Sequence, residues 1–348
     1  MFQDLKLQEL LALRQQKKII TIDVRSPSEF EDATIPGSLN IPFFDDNERA
    51  EIGTLYKQVS IQAAKERGLE IFSAKLPSFI KQFSLIPGKK AVFCWRGGMR
   101  SKTTATVLSL MDIHVSRLEG GYRAFRQGVV QTIDELDVLP PAYVLHGNTG
   151  SGKTAILRQL QERGYPVLNF EELAGHRGSV FGNIGVKAHN QKKFDALLVD
   201  ELASIQRASY LLFEAESKRI GKVVIPDQLL LKKEAGHQIW LEVPLETRIQ
   251  HILEDYRPWE HQEACLKSFL QIKPRIHTPI AAEIELCLKE EKYDRAVELL
   301  LVYYYDQRYA HTSSGYSSEN KTVIAAQSTE EAVAAVEQML RSLQPTSI

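Results

Sequence analysis

The hydrophobic pattern alternates between short apolar runs and longer segments of helical period. Lys18–Val24 (KIITIDV) and Ala91–Trp95 (AVFCW) are short apolar segments, as expected of strands buried on both faces of a parallel sheet, and Val115–Leu118 reads as another strand. Ser101–Leu110, between the last two, has helical character. The pattern breaks at Asp134–Pro141 (DELDVLPP), where an acidic stretch and two prolines predict a linker. A second series opens with Ala142–His146 and continues through Pro166–Phe170, Tyr210–Phe213, Lys222–Ile225 and Ile239–Val243, with helical segments between them. Glu260–Tyr309 is mostly helical, and Ser328 with Glu331 fits a capping box ahead of the periodic run AVAAVEQML. This alternation predicts two α/β domains with central parallel sheets. Their expected spans are residues 1–133 and 142–348, joined by a linker at 134–141, with a helical subdomain near 260–310.

Composition narrows the class. The 348 residues give room for two domains, and 43% hydrophobic with 25% charged residues is the profile of a soluble globular chain. The start, MFQDLKLQEL, lacks a basic-then-apolar signal pattern, and no apolar run approaches the roughly 20 residues that cross a bilayer. A cytoplasmic protein without a membrane partner is expected. The net charge of −1 supplies no overall attraction for nucleic acid, so any RNA surface must come from local clusters of Lys and Arg. Cys94, Cys265 and Cys287 are too few and too scattered for a disulfide framework or a zinc cluster.

Gly147-Asn148-Thr149-Gly150-Ser151-Gly152-Lys153-Thr154 is a full phosphate-binding loop, placed between the strand AYVLH and the helical run TAILRQLQERG. Backbone N–H groups of such a loop wrap a phosphate, and the helix N-terminus adds a favourable dipole. Lys153 supplies charge to the terminal phosphates, and Thr154 offers a hydroxyl to Mg²⁺. A nucleotide, a diphosphate ester or pyrophosphate would each satisfy this nest. Glu214, closing the strand YLLF, is the first candidate for a metal-side carboxylate, with Glu216 and Glu171 behind it.

Cys94 follows a strand and precedes Trp95-Arg96-Gly97-Gly98-Met99-Arg100-Ser101, with a helix starting near Lys102. Converging N–H groups and the helix dipole would stabilise a thiolate there. Arg96 and Arg100 add charge for an anionic donor. The five residues enclosed by Cys94 and Arg100 suit a tetrahedral, phosphate-sized anion such as selenophosphate. Cys265 and Cys287 lie in helical stretches and read as structural. His176 and Arg177 in AGHRG, with Lys187, His189, Lys192 and Lys193, form a basic run of the kind that contacts phosphate backbones. Tyr303, Tyr304 and Tyr305 read either as base-stacking residues or as core.

Asp23-Val24-Arg25-Ser26-Pro27-Ser28-Glu29-Phe30, Ile35-Pro36-Gly37-Ser38-Leu39-Asn40-Ile41-Pro42 and Glu119-Gly120-Gly121-Tyr122-Arg123-Ala124-Phe125 resemble the flanking motifs of rhodanese domains. Asp32-Ala33-Thr34 departs from the Gly-His pair that many rhodaneses carry there. A rhodanese-like domain followed by a P-loop NTPase-like domain resembles the tRNA 2-selenouridine synthases. Asn47–Gln58, Glu172–Gly182, Glu214–Pro226 and Asp255-Tyr256 also look like that family. The segment Glu214-Ala215-Glu216-Ser217 departs from an expected Glu-Asp-Glu-Ser. The resemblance spans roughly residues 15–310.

The resemblance implies a two-step reaction on 5-substituted 2-thiouridine at the tRNA wobble position. The sulfur is geranylated by geranyl diphosphate, and selenium from selenophosphate then displaces the geranyl thiol, with Cys94 carrying selenium. It implies no tightly bound cofactor, Mg²⁺ at Thr154, tRNA as substrate and a selenophosphate-making enzyme as partner. A monomer is expected. The competing readings are an ATP-dependent tRNA sulfurtransferase, a nucleotide-sensing regulator, and a phosphatase or arsenate reductase.

Overall fold

The computed structural model describes residues 2–136, 139–309 and 320–343; the linker positions Asp137 and Val138 lie outside the described residues. Two compact units are present, Met1–Glu135 together with Asp195–Ser204, and Leu136–Phe194 together with Ile205–Ile348.

The first unit is built on five parallel strands, β1 (Gln3–Leu5), β2 (Ile20–Asp23), β3 (Leu39–Asn40), β4 (Lys90–Phe93) and β5 (Val115–Leu118), in the order β1-β5-β4-β2-β3. Side chains alternate across this sheet. Ile22 and Val92 enter one core with Phe72, Phe79, Phe83 and Leu108. Ala91 and Phe93 enter the other with Leu10, Leu118, Tyr122 and Phe125. The centre of the sheet is covered on both faces, with β4 buried throughout and β2 nearly so. Within this unit, Ala196 and Val199 of the helix Gln191–Ser204 pack into the second core, and Asp195 accepts a hydrogen bond from Arg126 at 2.7 Å.

The Asp23–Phe30 motif has a structural cause. Asp23, at 0% exposure, accepts from Arg25 Nε and Nη2 and from the Thr34 hydroxyl at 2.8 Å. Arg25, at 2% exposure, also donates to the Ala33 carbonyl and lies 4.2 Å from the Tyr122 ring centroid. The buried pair thus anchors the segment Ala33-Thr34, and Thr34 fills a hydrogen-bonding role at the position where this chain departs from the usual rhodanese pattern.

The second unit holds β6 (Ala142–Gly147), β7 (Val167–Leu168), β8 (Leu211–Glu214), the hairpin strands β9 (Arg219–Ile220) and β10 (Val223–Val224), β11 (His237–Glu242) and β12 (Lys321–Ala325). Its main sheet is parallel, in the order β12-β11-β6-β8-β7. Leu145, Leu212, Ile239 and Leu241 pack with Ile156 and Leu160 of the helix Lys153–Glu162 and with Val333 and Val336 of the helix Thr329–Leu343. At the start of the latter helix Ser328 Oγ accepts from Glu331 N–H at 3.2 Å, as a capping box requires, while the Glu331 carboxylate accepts from Gln327 N–H, one residue before the cap, at 2.7 Å.

Two elements differ from the sequence pattern. The expected sheet strand Lys222–Ile225 is one arm of the antiparallel β9–β10 hairpin, because Gly221, at φ +55°, reverses the chain just before it. The expected strand Pro166–Phe170 is shortened to β7 because Asn169 accepts from the Glu172 N–H at 3.1 Å and starts the helix Phe170–Ala174. The helical part has its own core of Cys265, Phe269, Ile272, Ile284, Cys287 and Leu300. Among the described residues no helix is long and apolar enough to cross a membrane.

Replacing Arg25 with Ala leaves the Asp23 carboxylate buried without its partner. Chemical denaturation of this variant is expected to show a loss of about 3–5 kcal/mol, and a loss below about 1 kcal/mol would mean that the pair does not anchor the segment.

Candidate functional site

Cys94 is the residue immediately after β4, and only 3% of it is exposed. Its Sγ lies 3.2 Å from the hydroxyl of Ser101, in the first turns of the helix Met99–Leu110. The Glu119–Phe125 motif holds the loop from behind. Tyr122 N–H donates to the Cys94 carbonyl at 2.8 Å, and Arg123 N–H donates to the Trp95 carbonyl at 2.9 Å. Gly121 is required there, since a Cβ at this position would come within 2.3 Å of the Cys94 carbonyl oxygen. With the carbonyls engaged, no protein acceptor among the described residues takes the N–H groups of Arg96, Gly97, Gly98 and Met99. That set of donors at a helix N-terminus is suited to an anion beside the thiol.

The structure distinguishes the two loop arginines. Arg100 forms a two-point ion pair with Glu29, at 2.5 and 3.3 Å. Burial alone would raise the Glu29 carboxyl, but bonding to Arg100 and Ser26 and the charge of Arg49 bring it below its ordinary range. Arg100 therefore ties the helix start to the Ser26–Glu29 turn, and its charge is shared with a carboxylate. Arg96 makes no such pair and is exposed. Arg117, in the middle of β5, donates to the Gly97 carbonyl at 2.8 Å while pairing with Asp4. A charged residue inside a short strand is the sequence signal for it.

In the second unit, β6 ends at Gly147 and the chain turns through the phosphate-binding loop into the helix Lys153–Glu162. Thr149–Thr154 line an open cavity of about 520 Å³, together with Glu171, Arg177, Glu216, Lys233, Tyr304 and Arg308. Lys153 Nζ donates to the Gly147 carbonyl at 2.9 Å, folded across the loop. Asn148 shapes the turn by accepting from Ser151 N–H at 3.1 Å.

Three carboxyl groups meet under this loop. Oxygens of Glu171, Glu214 and Glu216 all lie within 4.8 Å of one another. Thr154 Oγ1 donates to Glu171 Oε2 at 2.6 Å, and Glu171 N–H donates to Glu214 Oε1 at 3.0 Å. Glu214 has 0% exposure, and its Oε2 has no hydrogen-bond partner. Burial, with the charge of Glu216, pushes the Glu171 carboxyl up to about 7. Burial and the charges of Glu171 and Glu216 push Glu214 well above the carboxylate range. Glu216 is also raised by burial, against the favourable charges of Lys153 and Lys233. An unpartnered buried oxygen, two nearby carboxyls and the Thr154 hydroxyl form an oxygen-only donor set that fits Mg²⁺. Ala215 lines the cavity without adding a carboxylate.

Of the two loop residues after Gly175, Arg177 lines the cavity and stacks 4.7 Å from the Tyr256 ring centroid, while donating to the Ile184 carbonyl at 2.7 Å. His176 does not line it. Its ring packs against Gly182 and Gly221, where a Cβ would come within 2.6 and 2.7 Å, and burial lowers its pKa. His189 is held by the Leu173 carbonyl at 2.9 Å. Tyr304 and Tyr305 flank the cavity rather than forming an exposed stacking platform. The helix Leu245–Tyr256 supplies residues that no local motif marked. Arg248 donates to the Thr149 carbonyl and to both oxygens of Asp306, and His251 Nδ1 lies 2.9 Å from the Gly150 carbonyl. Both brace the loop from behind.

Comparison with known proteins accords with this pair of sites. A family model described as the tRNA 2-selenouridine synthase AAA domain matches residues 140–270, and a rhodanese-like domain model matches residues 6–127. A tRNA 2-selenouridine synthase of Shewanella halifaxensis is 33% identical over 324 residues, covering 83% of this chain and 87% of that relative. The chain belongs to the tRNA 2-selenouridine synthase family. The synthase of Psychromonas ingrahamii is 29% identical, over 88% of this chain and 92% of its own length. That of Nitrosomonas europaea is 36% identical over 68% of this chain, which spans 63% of the relative, less than two thirds of its length. The phosphate-binding loop and Cys94 each fall inside a matched segment.

A carboxyl raised in the folded state loses its proton first in the unfolded chain. The three glutamates therefore withdraw stability as pH rises from the ordinary glutamate range to about 7 and beyond. Glu214→Gln removes one of the three charges. Thermal unfolding without divalent cations should show the variant gaining on wild type between about pH 5 and pH 8; a difference independent of pH would contradict the buried cluster.

Proposed function

We propose that this chain modifies the tRNA wobble uridine in two steps, converting 5-substituted 2-thiouridine to 2-selenouridine through S-geranyl-2-thiouridine. The observation that carries the reading is the presence, in one chain of this family, of a thiol in an anion cradle and a phosphate-binding loop over three buried carboxyls. Geranyl diphosphate and selenophosphate are the co-substrates, and tRNA is the acceptor.

In the first step, the P-loop cavity takes the diphosphate of the prenyl donor. N–H groups of Gly150, Gly152, Lys153 and Thr154 and the Lys153 ammonium would face the oxygens on which negative charge grows as the carbon–oxygen bond breaks. Thr154, Glu171, Glu214 and Glu216 would hold Mg²⁺, which supplies charge neutralisation for the departing diphosphate. Alkylation turns the uridine sulfur into a good leaving group. In the second step, water takes the phosphoryl group of selenophosphate as phosphate, the hydrogen selenide released at the Cys94 loop adds to C2 of the base, and its proton leaves with the geranyl thiol as the C2–S bond breaks. The N–H groups of Arg96–Met99 match the anionic donor, and Ser101 sits by the sulfur. The exposed Arg96 would receive the donor, while Arg100 holds the loop through Glu29.

The test is mass spectrometry of nucleosides from 2-thiouridine tRNA incubated with protein, geranyl diphosphate and selenophosphate. Wild type is expected to give 2-selenouridine, Cys94→Ala to stop at the geranylated nucleoside, and Lys153→Ala to lose at least about a hundredfold in geranylation. Modification that requires ATP instead would overturn the reading in favour of an ATP-dependent sulfurtransferase.

A further inference from the structure

The helix Leu245–Tyr256 is fixed to the phosphate-binding loop at two points, through Arg248 on the Thr149 carbonyl and His251 on the Gly150 carbonyl, each at 2.9 Å. Positions i, i+3, i+4 and i+7 share one face of a helix. Arg248, His251, Ile252 and Asp255 have that spacing, so the face that braces the loop carries Asp255 one turn further on, at the cavity wall. Tyr256 locks the helix end, with its hydroxyl 3.2 Å from Ser179 Oγ and the Arg177 guanidinium 4.7 Å from its ring centroid. Asp255 is exposed to the open cavity and forms no side-chain hydrogen bond or salt bridge among the described residues. Of the described carboxyl side chains lining that cavity, Glu171 and Glu216 belong to the cluster with Glu214, and Asp255 alone stands outside it. Desolvation by the protein around the helix end raises its carboxyl above the ordinary range, against the charges of Arg177, His251 and Arg158, and Glu254 adds to the rise. A carboxylate shifted in this direction is a stronger base than an ordinary aspartate.

We propose that Asp255 accepts the N3–H of the 2-thiouridine and takes that proton as the sulfur is alkylated, so that it selects uridine over cytidine. The proposal rests on the prenyl-transfer reading above and names the residue that reads and deprotonates the acceptor base. In 2-thiouridine N3 carries a hydrogen, and the C2 sulfur is the weak nucleophile of a thioamide. In the S-alkylated product N3 carries none, so a proton must leave during the reaction. The sulfur gives an electron pair to C1 of the prenyl donor, and the C1–O bond breaks with its pair leaving on diphosphate. The C2–S double bond becomes single, the N3–H pair becomes the second bond between N3 and C2, and the proton passes to Asp255 and then to solvent. Of the groups around Asp255, Arg177 and Arg158 are cations, and His251 is tied to the Gly150 carbonyl and to Thr329. The carboxylate is therefore the base. It also discriminates between pyrimidines. In 2-thiocytidine N3 presents a lone pair, and an acceptor facing an acceptor leaves both without a partner.

The experiment measures geranylation of an anticodon stem–loop carrying 2-thiouridine at the wobble position, across pH, for wild type and Asp255→Asn, with nucleosides read by mass spectrometry. The same stem–loop carrying 2-thiocytidine serves as competitor. Asp255→Asn is expected to lower kcat by about a hundredfold near neutral pH, with the loss in kcat rather than in KM for geranyl diphosphate. The deficit should narrow as pH rises and N3 of the thiouridine loses its proton unaided. An amide can turn its N–H groups toward the cytidine N3, so the 2-thiocytidine stem–loop should inhibit the variant about tenfold more tightly than wild type. A deficit that is the same at every pH, with an unchanged inhibition constant, would mark Asp255 as merely structural and overturn the proposal while leaving prenyl transfer in place. If Asp255→Asn does not fold, the pH dependence of Asp255→Ala decides in its stead. Wild type that does not alkylate the 2-thiouridine stem–loop removes the prenyl-transfer reading, and the base with it.

Discussion

Three carboxyl groups held out of water within 4.8 Å of one another cannot all carry charge unless a cation joins them, and the second unit is arranged around that constraint. Glu214 closes β8, Glu171 opens a short helix after β7, and Glu216 follows two residues beyond the strand end. They meet because β8 lies between β6 and β7 in a parallel sheet, whose strand ends share one edge with the phosphate-binding loop. Lys153 and Lys233 reach the same space and offset part of the charge. The remaining deficit is visible in the Glu214 oxygen, which has no hydrogen-bond partner among the described residues.

The two units use one device for different chemistry. In each, a parallel strand ends, a tight glycine-containing loop follows, and a helix begins whose N-terminus suits an anion. In the first unit a thiol stands at the centre of the loop, suited to carrying a polarizable chalcogen. In the second, a lysine and carboxylates stand there, suited to holding a leaving diphosphate. In the proposed cycle, the second site makes the sulfur displaceable and the first supplies the atom that displaces it.

Much of this was legible in the sequence where the determinants are local. The phosphate-binding loop, Cys94 and its flanking glycines, and the strand preceding each can be read from consecutive residues. The strands β2, β4, β6, β8 and β11 follow from largely apolar runs that a sheet must bury. Glu214 was marked by its position at a strand end, but its convergence with Glu171 and Glu216 depends on strand order, which no local pattern encodes. Arg248 and His251 lie about a hundred residues beyond the loop they support, on a helix whose sequence looks like any amphipathic surface helix. The small apolar recess beside the P-loop cavity is assembled from four α-helices, the turn Leu301–Tyr305 and the loop at Ser179, so its lining reads as ordinary core until the packing is seen. The hairpin β9–β10 was missed for the opposite reason: a single turn glycine overrides an apolar run that is too short to demand a place in the sheet.

The most direct test of the central claim is Mg²⁺ titration of the intact protein in the presence of inorganic diphosphate, by calorimetry near neutral pH in buffers of different ionisation heat. With the Glu171 carboxyl at about 7 and Glu214 well above the usual range, metal binding must expel protons from the cluster. The account predicts Mg²⁺-dependent diphosphate binding with measurable proton release, diminished in Glu214→Gln. Diphosphate binding that neither needs Mg²⁺ nor releases protons would contradict it.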